Sequence, residues 1–184
     1  MKIIDTFIEG LKVIELDVHR DHRGFFVERF NEDSYKKLRI ETNYFQDNHS
    51  FSIPRVIRGL HYQNNPSQLK IVGCIRGSIF DVAVDIRKNS PTFGKYFALE
   101  LNAVNGKMLY IPEGFAHGFC VLGSEPADVI YKVNNPYNKE GEGGILYNDP
   151  EIAIDWPIKD PIISKKDAEL QSFKEYRNSQ FFNL

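Results

Sequence analysis

The sequence predicts an all-β fold, a sandwich or barrel built from many short strands. Its 184 residues include 14 Phe and nine Tyr, which favour strands, and 13 Gly and nine Pro, which favour turns. Apolar runs recur about every ten residues between Gly- or Pro-containing breaks, a pattern typical of all-β sandwiches and barrels. Because this length suits one domain, we expect residues 1–184 to form a single domain.

The first half of the chain contains short strand-like segments and one helical period. Strands are expected at 3–8, 11–18 and 25–30, which are separated by turn residues. Asn31 or Asp33 can cap a short helix that follows the third of these strands. The N-terminal segments therefore predict a short strand extension ahead of the main sheets.

The second half of the chain is a series of strand-like runs that ends in a helical segment. Strands are expected at 69–76, 78–86, 93–101, 107–111, 117–122 and 128–133. After a loop-rich stretch, a brief helix is expected to begin near Ser164. The C-terminus therefore adds a small helical segment to an otherwise all-β chain.

Composition and charge exclude several classes of protein. The net charge of −2 argues against a nucleic-acid-binding protein or a protein that binds anionic membranes, since either requires a basic surface. The N-terminus carries no signal peptide, and no apolar run is long enough to span a membrane. Cys74 and Cys120 lie in apolar runs without a CxxC pattern, as expected of buried free thiols. We expect a cytoplasmic protein.

The stretch from Arg58 to Lys70 has the pattern of a strand, a tight loop and a second strand. Side chains alternate between faces along a strand, so Arg58 is expected on one face and His61 on the other. A histidine facing a lysine across a hairpin indicates a functional site. The alternative is a hydrogen-bonded core histidine with a surface lysine.

The segment 106–117 matches the pattern G-x5-P-x-G-x2-H of the second cupin motif. It predicts a cupin jelly-roll barrel in which Pro112 and Gly114 form a tight turn and His117 points into the barrel mouth. Metal-binding cupins supply a further His-x-His and a Glu, but here the corresponding positions are His61-Tyr62-Gln63 and Gln68. Two histidines are a poor transition-metal site, so we expect no metal and no cofactor.

The chain resembles the dTDP-4-dehydrorhamnose 3,5-epimerase family of deoxysugar biosynthesis over nearly its whole length. The matching elements, in the order of the family, include Asp21-x-Arg23-Gly24-x-Phe26-x-Glu28, Gln46-Asp47-Asn48, Arg58-Gly59-Leu60-His61, Gln68-x-Lys70, Phe80-Asp81-Val82-Ala83-Val84-Asp85-x-Arg87, Pro112-x-Gly114-Phe115-Ala116-His117, Tyr131-Lys132, Tyr137 and Ser164-x-Lys166-Asp167. The resemblance implies epimerisation at C3 and C5 of a dTDP-4-dehydro-6-deoxy-glucose without a cofactor. It also implies a homodimer whose N-terminal strands exchange between subunits.

The resemblance assigns four catalytic residues. His61 is implied as the base, oriented by Asp167, while Lys70 stabilises the enolate oxygen and Tyr131 is the acid. A neutral imidazole, an ammonium group and a phenol each suit these tasks. Alternatives remain open, because Asp167 could only cap its helix and Tyr131 could be strand core. If the face of the strand that carries Asp81 is the barrel interior, Asp81 is a candidate partner of His61; otherwise it is solvated.

The resemblance further implies a binding site for a nucleoside diphosphate sugar. Arg23, Arg58 and Lys166 are the candidates for the diphosphate. The remaining candidates would contact the base or the sugar, with an aromatic ring stacked on the pyrimidine; they are Glu28, Gln46, Asn48, His117, Tyr137 and Glu142. For Arg23 and Glu28 the alternative is an exposed cross-strand ion pair.

Three other functions fit part of the sequence. A mono-epimerase acting at C3 or C5 only, or an epimerase of another nucleotide 4-keto-sugar, would use the same residues. A metal-dependent cupin oxygenase or isomerase would need metal for activity. A non-catalytic module would bind the nucleotide sugar without turnover.

Overall fold

The computed structural model describes residues 1–179 and 181–182. In this part of the chain most elements are strands, with three short helices. The strands are β1 (Lys2–Asp5), β2 (Lys12–Glu15), β3 (Val18–Asp21), β4 (Gly24–Val27), β5 (Gln46–Ser52), β6 (Ile57–Gln63), β7 (Lys70–Arg76), β8 (Ser78–Asp85), β9 (Tyr96–Asn102), β10 (Lys107–Ile111), β11 (Phe115–Val121), β12 (Ala127–Val133) and β13 (Glu142–Gly144). The helices are α1 (Glu32–Lys37), α2 (Lys165–Ala168) and α3 (Phe173–Tyr176).

Two antiparallel sheets face each other, which confirms the predicted jelly-roll fold. One sheet has the order β1-β2-β10-β7-β12-β5 and the other has the order β13-β6-β11-β8-β9. Apolar side chains from the inner faces of both sheets, such as Val72 and Leu109 from the first and Ile79 and Phe119 from the second, form the central core. This packing follows from strands whose alternate residues are apolar.

The N-terminal elements extend the first sheet and cover its outer face. Strand β2 joins the sheet beside β10, and β1 forms its edge. The β3–β4 hairpin pairs only with itself among the described residues, and β4 ends at Val27 rather than at the predicted residue 30. Asn31 caps α1 as predicted, because its Oδ1 accepts the Ser34 N–H at 2.9 Å. Tyr35 of α1 is buried against this sheet.

The C-terminal segment packs on the outer face of the second sheet. Helix α2 begins after Ser164, as predicted. Helix α3 has a capping box formed by Ser172 and Glu175 that the sequence reading missed. The Tyr176 hydroxyl of α3 donates to the Ile86 carbonyl at 2.7 Å. None of the helices among the described residues is long and apolar enough to cross a membrane.

Strand β6 contains an irregularity that makes one sequence prediction wrong. His61 is paired with His117 of β11, but Arg58, three residues earlier, is paired with Phe119, only two residues later. The extra residue interrupts the alternation of side chains. Arg58 and His61 therefore point into the same cavity, although strict alternation predicts opposite faces.

Gly59 allows this irregularity because β6 and β11 approach very closely there. Its φ is +128°, and a Cβ at this position would lie 2.5 Å from the Gly118 Cα. A Cβ on Gly118 would in turn lie 2.7 Å from the Arg58 carbonyl oxygen. Both positions therefore require glycine.

We predict that Gly59→Ala lowers the free energy of unfolding by about 3 kcal/mol or more, because it combines an unfavourable backbone angle with a clash. Gly24 is a matched control, with a φ of +129° and no heavy atom within 4 Å of an added Cβ. Gly24→Ala should cost only about 1–2 kcal/mol. Urea denaturation of both variants measures the difference, and equal losses would contradict the role assigned to the close approach.

Candidate active site

A cavity of about 500 Å³ opens between the two sheets, and its size suits a small-molecule ligand. Its wall comes from β5, β6, β7, β11, β12 and the segment that begins α2. The lining residues are Ser50, Val56, Ile57, Arg58, His61, Lys70, His117, Phe119, Tyr131, Ile162, Ile163, Ser164, Lys166 and Asp167. All four predicted catalytic residues lie among them.

His61 and Asp167 form a hydrogen-bonded pair in the cavity wall. His61 Nε2 lies 2.7 Å from Asp167 Oδ1, and the Gly59 N–H donates to Asp167 Oδ2 at 3.2 Å. Burial alone would raise the pKa of Asp167, but the hydrogen bonds and charge of its neighbours, His61 foremost, lower it below its ordinary value. A carboxylate in this position holds the imidazole ring in one orientation.

Asp167 also takes part in the cap of α2, which is the alternative role that the sequence predicted for it. Its backbone N–H donates to Ser164 Oγ at 3.0 Å, as in the first half of a capping box. Its carboxylate, however, is bonded to His61 and Gly59. The cap thus uses the backbone of Asp167 and leaves the side chain for the histidine.

Lys70 lies at the start of β7 and reaches the opposite sheet. Its Nζ donates to the His61 carbonyl oxygen at 3.3 Å. Burial lowers the pKa of Lys70 to about 8, while the negative charges of Asp81 and Glu142 act in the opposite direction. An ammonium group in this cavity can stabilise an oxyanion, and it can also lose its proton close to neutral pH.

Tyr131 lines the cavity from β12, in the sheet opposite to the one that carries His61. Burial raises the pKa of its phenol, and the nearby charge of Arg58 offsets part of this effect. The phenol therefore keeps its proton at neutral pH. An imidazole and a neutral phenol thus face the cavity from opposing sheets.

Asp81 is buried in the barrel interior, but its partner differs from the predicted one. Its Oδ1 lies 2.8 Å from His117 Nε2, whereas we expected a contact with His61. The register explains this, because Asp81 is paired with Phe119 on β11, two residues from His117 on the same face, while β6 lies one strand farther away. His117 itself lines the cavity, as the cupin motif predicts.

A chain of five hydrogen-bonded residues, which we call the rim, starts at Lys166 in the cavity wall, and its other four members are not among the residues that line the cavity. Lys166 Nζ lies 2.7 Å from Glu142 Oε2, which also accepts the Tyr137 hydroxyl at 2.8 Å. The Tyr137 N–H donates to Gln46 Oε1 at 3.4 Å, and Gln46 Nε2 donates to Asn48 Oδ1 at 2.6 Å. Five of the predicted binding residues are therefore connected.

Arg58 is held by strand β5 of the opposite sheet. Its Nε donates to Ser52 Oγ at 2.9 Å and its Nη2 donates to the Phe51 carbonyl at 3.1 Å, while the side chain lines the cavity. Ser50, two residues away, lines the cavity with a buried hydroxyl that has no hydrogen-bond partner in the described part of the chain. The sequence reading missed Ser50, although it shares a strand face with Gln46 and Asn48.

Six of the nine predicted binding residues do not line the cavity, and two of these six, Arg23 and Glu28, lie on or beside the β3–β4 hairpin. Arg23 is exposed in the turn of the β3–β4 hairpin, and its guanidinium pairs with Asp21 Oδ2 at 2.6 Å. Glu28 is exposed just after this hairpin. Neither lines the cavity, and Arg23 does not form the Glu28 ion pair that was the alternative.

In the described residues no three His, Cys, Asp or Glu side chains are grouped so that they could hold a metal ion. His61 and His117 are each hydrogen-bonded to a separate aspartate. The sequence-based expectation that no metal and no cofactor is used stays a prediction.

Comparison with known proteins assigns a family. The family model described as dTDP-4-dehydrorhamnose 3,5-epimerase matches residues 5–175. The enzyme of that name from Shigella flexneri is 50% identical over 175 residues, which cover 94% of this chain and 96% of the relative.

Solved structures show the same similarity. The Legionella pneumophila dTDP-6-deoxy-D-glucose-3,5-epimerase, in complex with dTDP-4-keto-L-rhamnose, is 43% identical with a TM-score of 0.94. The similarity covers 100% of this chain and 98% of that one. A 3'-monoepimerase from Streptomyces bikiniensis, in complex with dTDP-quinovose, is 28% identical with a TM-score of 0.87, over 97% and 91% of the two chains.

We predict that Lys70 titrates at about 8 in the ligand-free protein, against about 10.4 for an exposed lysine. The side chain is then charged below pH 8 and largely neutral above it. NMR of the protein labelled with ¹⁵N-lysine measures the midpoint, with the Lys70→Arg variant identifying the signal. A midpoint near 10 would contradict the effect of burial.

Proposed function

This chain belongs to the dTDP-4-dehydrorhamnose 3,5-epimerase family, and we propose that it converts dTDP-4-dehydro-6-deoxy-D-glucose to dTDP-4-dehydro-L-rhamnose in deoxysugar biosynthesis. The observation that carries the proposal is one cavity lined by His61 from one sheet and by Tyr131 and Lys70 from the opposing sheet. The volume of the cavity accommodates a hexose.

The reaction requires three functional groups. C3 and C5 both adjoin the C4 ketone, so removal of either proton gives an enolate whose negative charge lies on the same C4 oxygen. A base must remove the proton, a cation must stabilise the oxygen, and an acid must return a proton to the opposite face. Because the oxygen is shared, one cation can serve both inversions.

His61 is the proposed base. Asp167 holds its Nε2 at 2.7 Å and stabilises the imidazolium that forms when His61 accepts the proton. The Asp167 carboxylate is itself fixed by the Gly59 N–H, so the orientation of the ring is set by the backbone of β6. A positioned base of this kind typically contributes about 10²–10⁴ in rate.

Lys70 and Tyr131 complete the proton transfer. The Lys70 ammonium group is a compact charge for the enolate oxygen, and the low-dielectric cavity strengthens this interaction. Tyr131 keeps its proton because burial raises its pKa, so it can donate to the face opposite His61. These roles agree with the opposing positions of β6 and β12.

The nucleotide portion of the substrate would lie along the rim. Arg58 and Lys166 both line the cavity and are the proposed cations for the diphosphate. Tyr137 has a largely exposed ring beside Gln46, which suits stacking on the pyrimidine. Glu142, Gln46 and Asn48 would then supply hydrogen bonds to the base or sugar.

Arg23 and Glu28 would act in a homodimer. The β3–β4 hairpin carries the exposed aromatic side chains Phe25 and Phe26, the latter 68% exposed, and β1 forms an open edge of the first sheet. Exposed apolar groups and open edges favour association with a second copy. Exchange of the N-terminal strands would bring Arg23 of one protomer to the diphosphate in the cavity of its partner.

A mono-epimerase is the second candidate, favoured by the similarity to the 3'-monoepimerase. It would use the same base, cation and acid, because inversion at one carbon needs all three. The number of carbons inverted depends on how the ring sits between His61 and Tyr131. The cytoplasm is the proposed location, supported by two buried cysteines that form no disulfide.

We predict that incubation in D₂O places deuterium at both C3 and C5 of the sugar. His61→Ala should abolish the exchange, because it removes the base. Tyr131→Phe should still exchange protons on the face of His61 but fail to invert. NMR of the product measures both outcomes: deuterium at one carbon only would indicate a mono-epimerase, and no deuterium would exclude the enolate mechanism.

The homodimer predicts complementation between two variants. Arg23→Ala should raise KM by about 10-fold or more, and His61→Ala should be inactive. Mixed dimers would contain one intact site if Arg23 acts in the partner's cavity, so the co-expressed variants should recover up to about a quarter of wild-type activity at substrate concentrations below KM. Absence of recovery in isolated mixed dimers would contradict the exchange.

A further inference from the structure

Asp81 is an unusually isolated buried charge. Its side chain is 0% exposed, and its Oδ2 has no hydrogen-bond partner among the described residues. Its one side-chain partner there is His117, whose side chain is 10% exposed at the cavity wall. A buried carboxylate with an unpaired oxygen is costly unless positive charge lies nearby.

The register places this pair close to Lys70. His117 is directly opposite His61 in the β6–β11 pairing, and Lys70 Nζ donates to the carbonyl oxygen of that same His61. His117 and Lys70 line the same cavity, and Asp81 lies behind His117. No carboxylate in the described residues lies within 4.0 Å of Lys70 Nζ. The carboxylates that act on the charge of Lys70 therefore do so from a longer distance, without a direct ion pair.

We propose that Asp81 is a positioning residue whose negative charge, anchored by His117, keeps Lys70 in the ammonium form that stabilises the enolate. This inference rests on the proposed function, because only an oxyanion requires a charged Lys70. Asp81 does not contact the sugar in this scheme. It acts through Lys70, and its own orientation is set by His117.

The other groups that face Lys70 cannot replace Asp81. Glu142 is the second carboxylate that acts on Lys70, but it is already paired with Lys166 and bonded to Tyr137. Tyr131 is neutral, and His61 is paired with Asp167. His117 adds no negative charge. Burial lowers the pKa of Lys70, and among the groups that oppose this, Asp81 has the largest effect.

The test is the isosteric change Asp81→Asn, which keeps a hydrogen-bonding side chain beside His117. We expect the Lys70 midpoint in ¹⁵N-lysine NMR to fall by about one pH unit from its wild-type value. The alkaline limb of kcat/KM should move down by the same amount. In a Lys70→Arg background, where the cation does not titrate, the limb that comes from Lys70 should be absent and Asp81→Asn should shift no remaining limb.

The chain offers a matched control in His49 and Asp128, which lie 2.8 Å apart on the outer face of the first sheet. Asp128→Asn removes the carboxylate of a histidine–aspartate pair of the same separation, more exposed and outside the cavity, and the Lys70 midpoint should not move. If Asp81→Asn lowers thermal stability without shifting the midpoint, Asp81 is merely structural and the proposal is overturned.

A second variant and a measurement without substrate allow the experiment to give a clear result in every case. Should Asp81→Asn fail to fold, Asp81→Ser leaves room for a water beside His117 and carries the same expectation. The NMR midpoint needs no substrate, so a shifted midpoint in a protein without epimerase activity would reject the proposed function and retain the electrostatic link. An active enzyme in which Asp81→Asn leaves the Lys70 midpoint unshifted would reject the electrostatic link and retain the proposed function.

Discussion

The close approach of β6 and β11 at Gly59 and Gly118 is the constraint on which the site depends. With no Cβ on either residue, the strands come near enough to place an extra residue in β6. Arg58 and His61 then share the cavity, and the Gly59 N–H points to Asp167. One backbone irregularity therefore positions the proposed diphosphate cation, the proposed base, and the carboxylate bonded to that base.

The pairing of buried charged side chains in and around the cavity is a second constraint on the site. Asp167, which lines the cavity, and Asp81 and Glu142 behind it are each paired with a different cation or imidazole. Lys70 and Arg58 line the cavity without a carboxylate within 4.0 Å among the described residues, and the negative charges that act on Lys70 do so over a longer distance. A cation with incomplete neutralisation is well suited to a substrate whose negative charge appears only during the reaction.

The binding residues divide into two groups with different physical positions. Of the predicted binding residues on the barrel and its C-terminal segment, five are joined by hydrogen bonds from Lys166 to Asn48, and Arg58 and His117 line the cavity outside this chain. Arg23 and Glu28 lie on or beside an exposed hairpin that pairs only with itself in the described part of the chain. In the proposed homodimer a second protomer would join the two groups, since the hairpin exposes an aromatic side chain on each of its faces, Phe25 and Phe26.

Much of the fold, and part of the candidate site, could be predicted from the amino-acid sequence alone. Strand spacing and the motif ending at His117 predicted the jelly roll, and Asn31 and Ser164 predicted the helix starts. These features depend on local pattern. The family resemblance selected His61, Lys70, Tyr131 and Asp167, which do line one cavity, while their catalytic roles stay predictions. The shared face of Arg58 and His61, the pairing of Asp81 with His117, and the burial of the Ser50 hydroxyl without a partner among the described residues were decided only by the tertiary structure. They depend on contacts between strands distant in sequence, where one extra residue in β6 changes the face to which each side chain points.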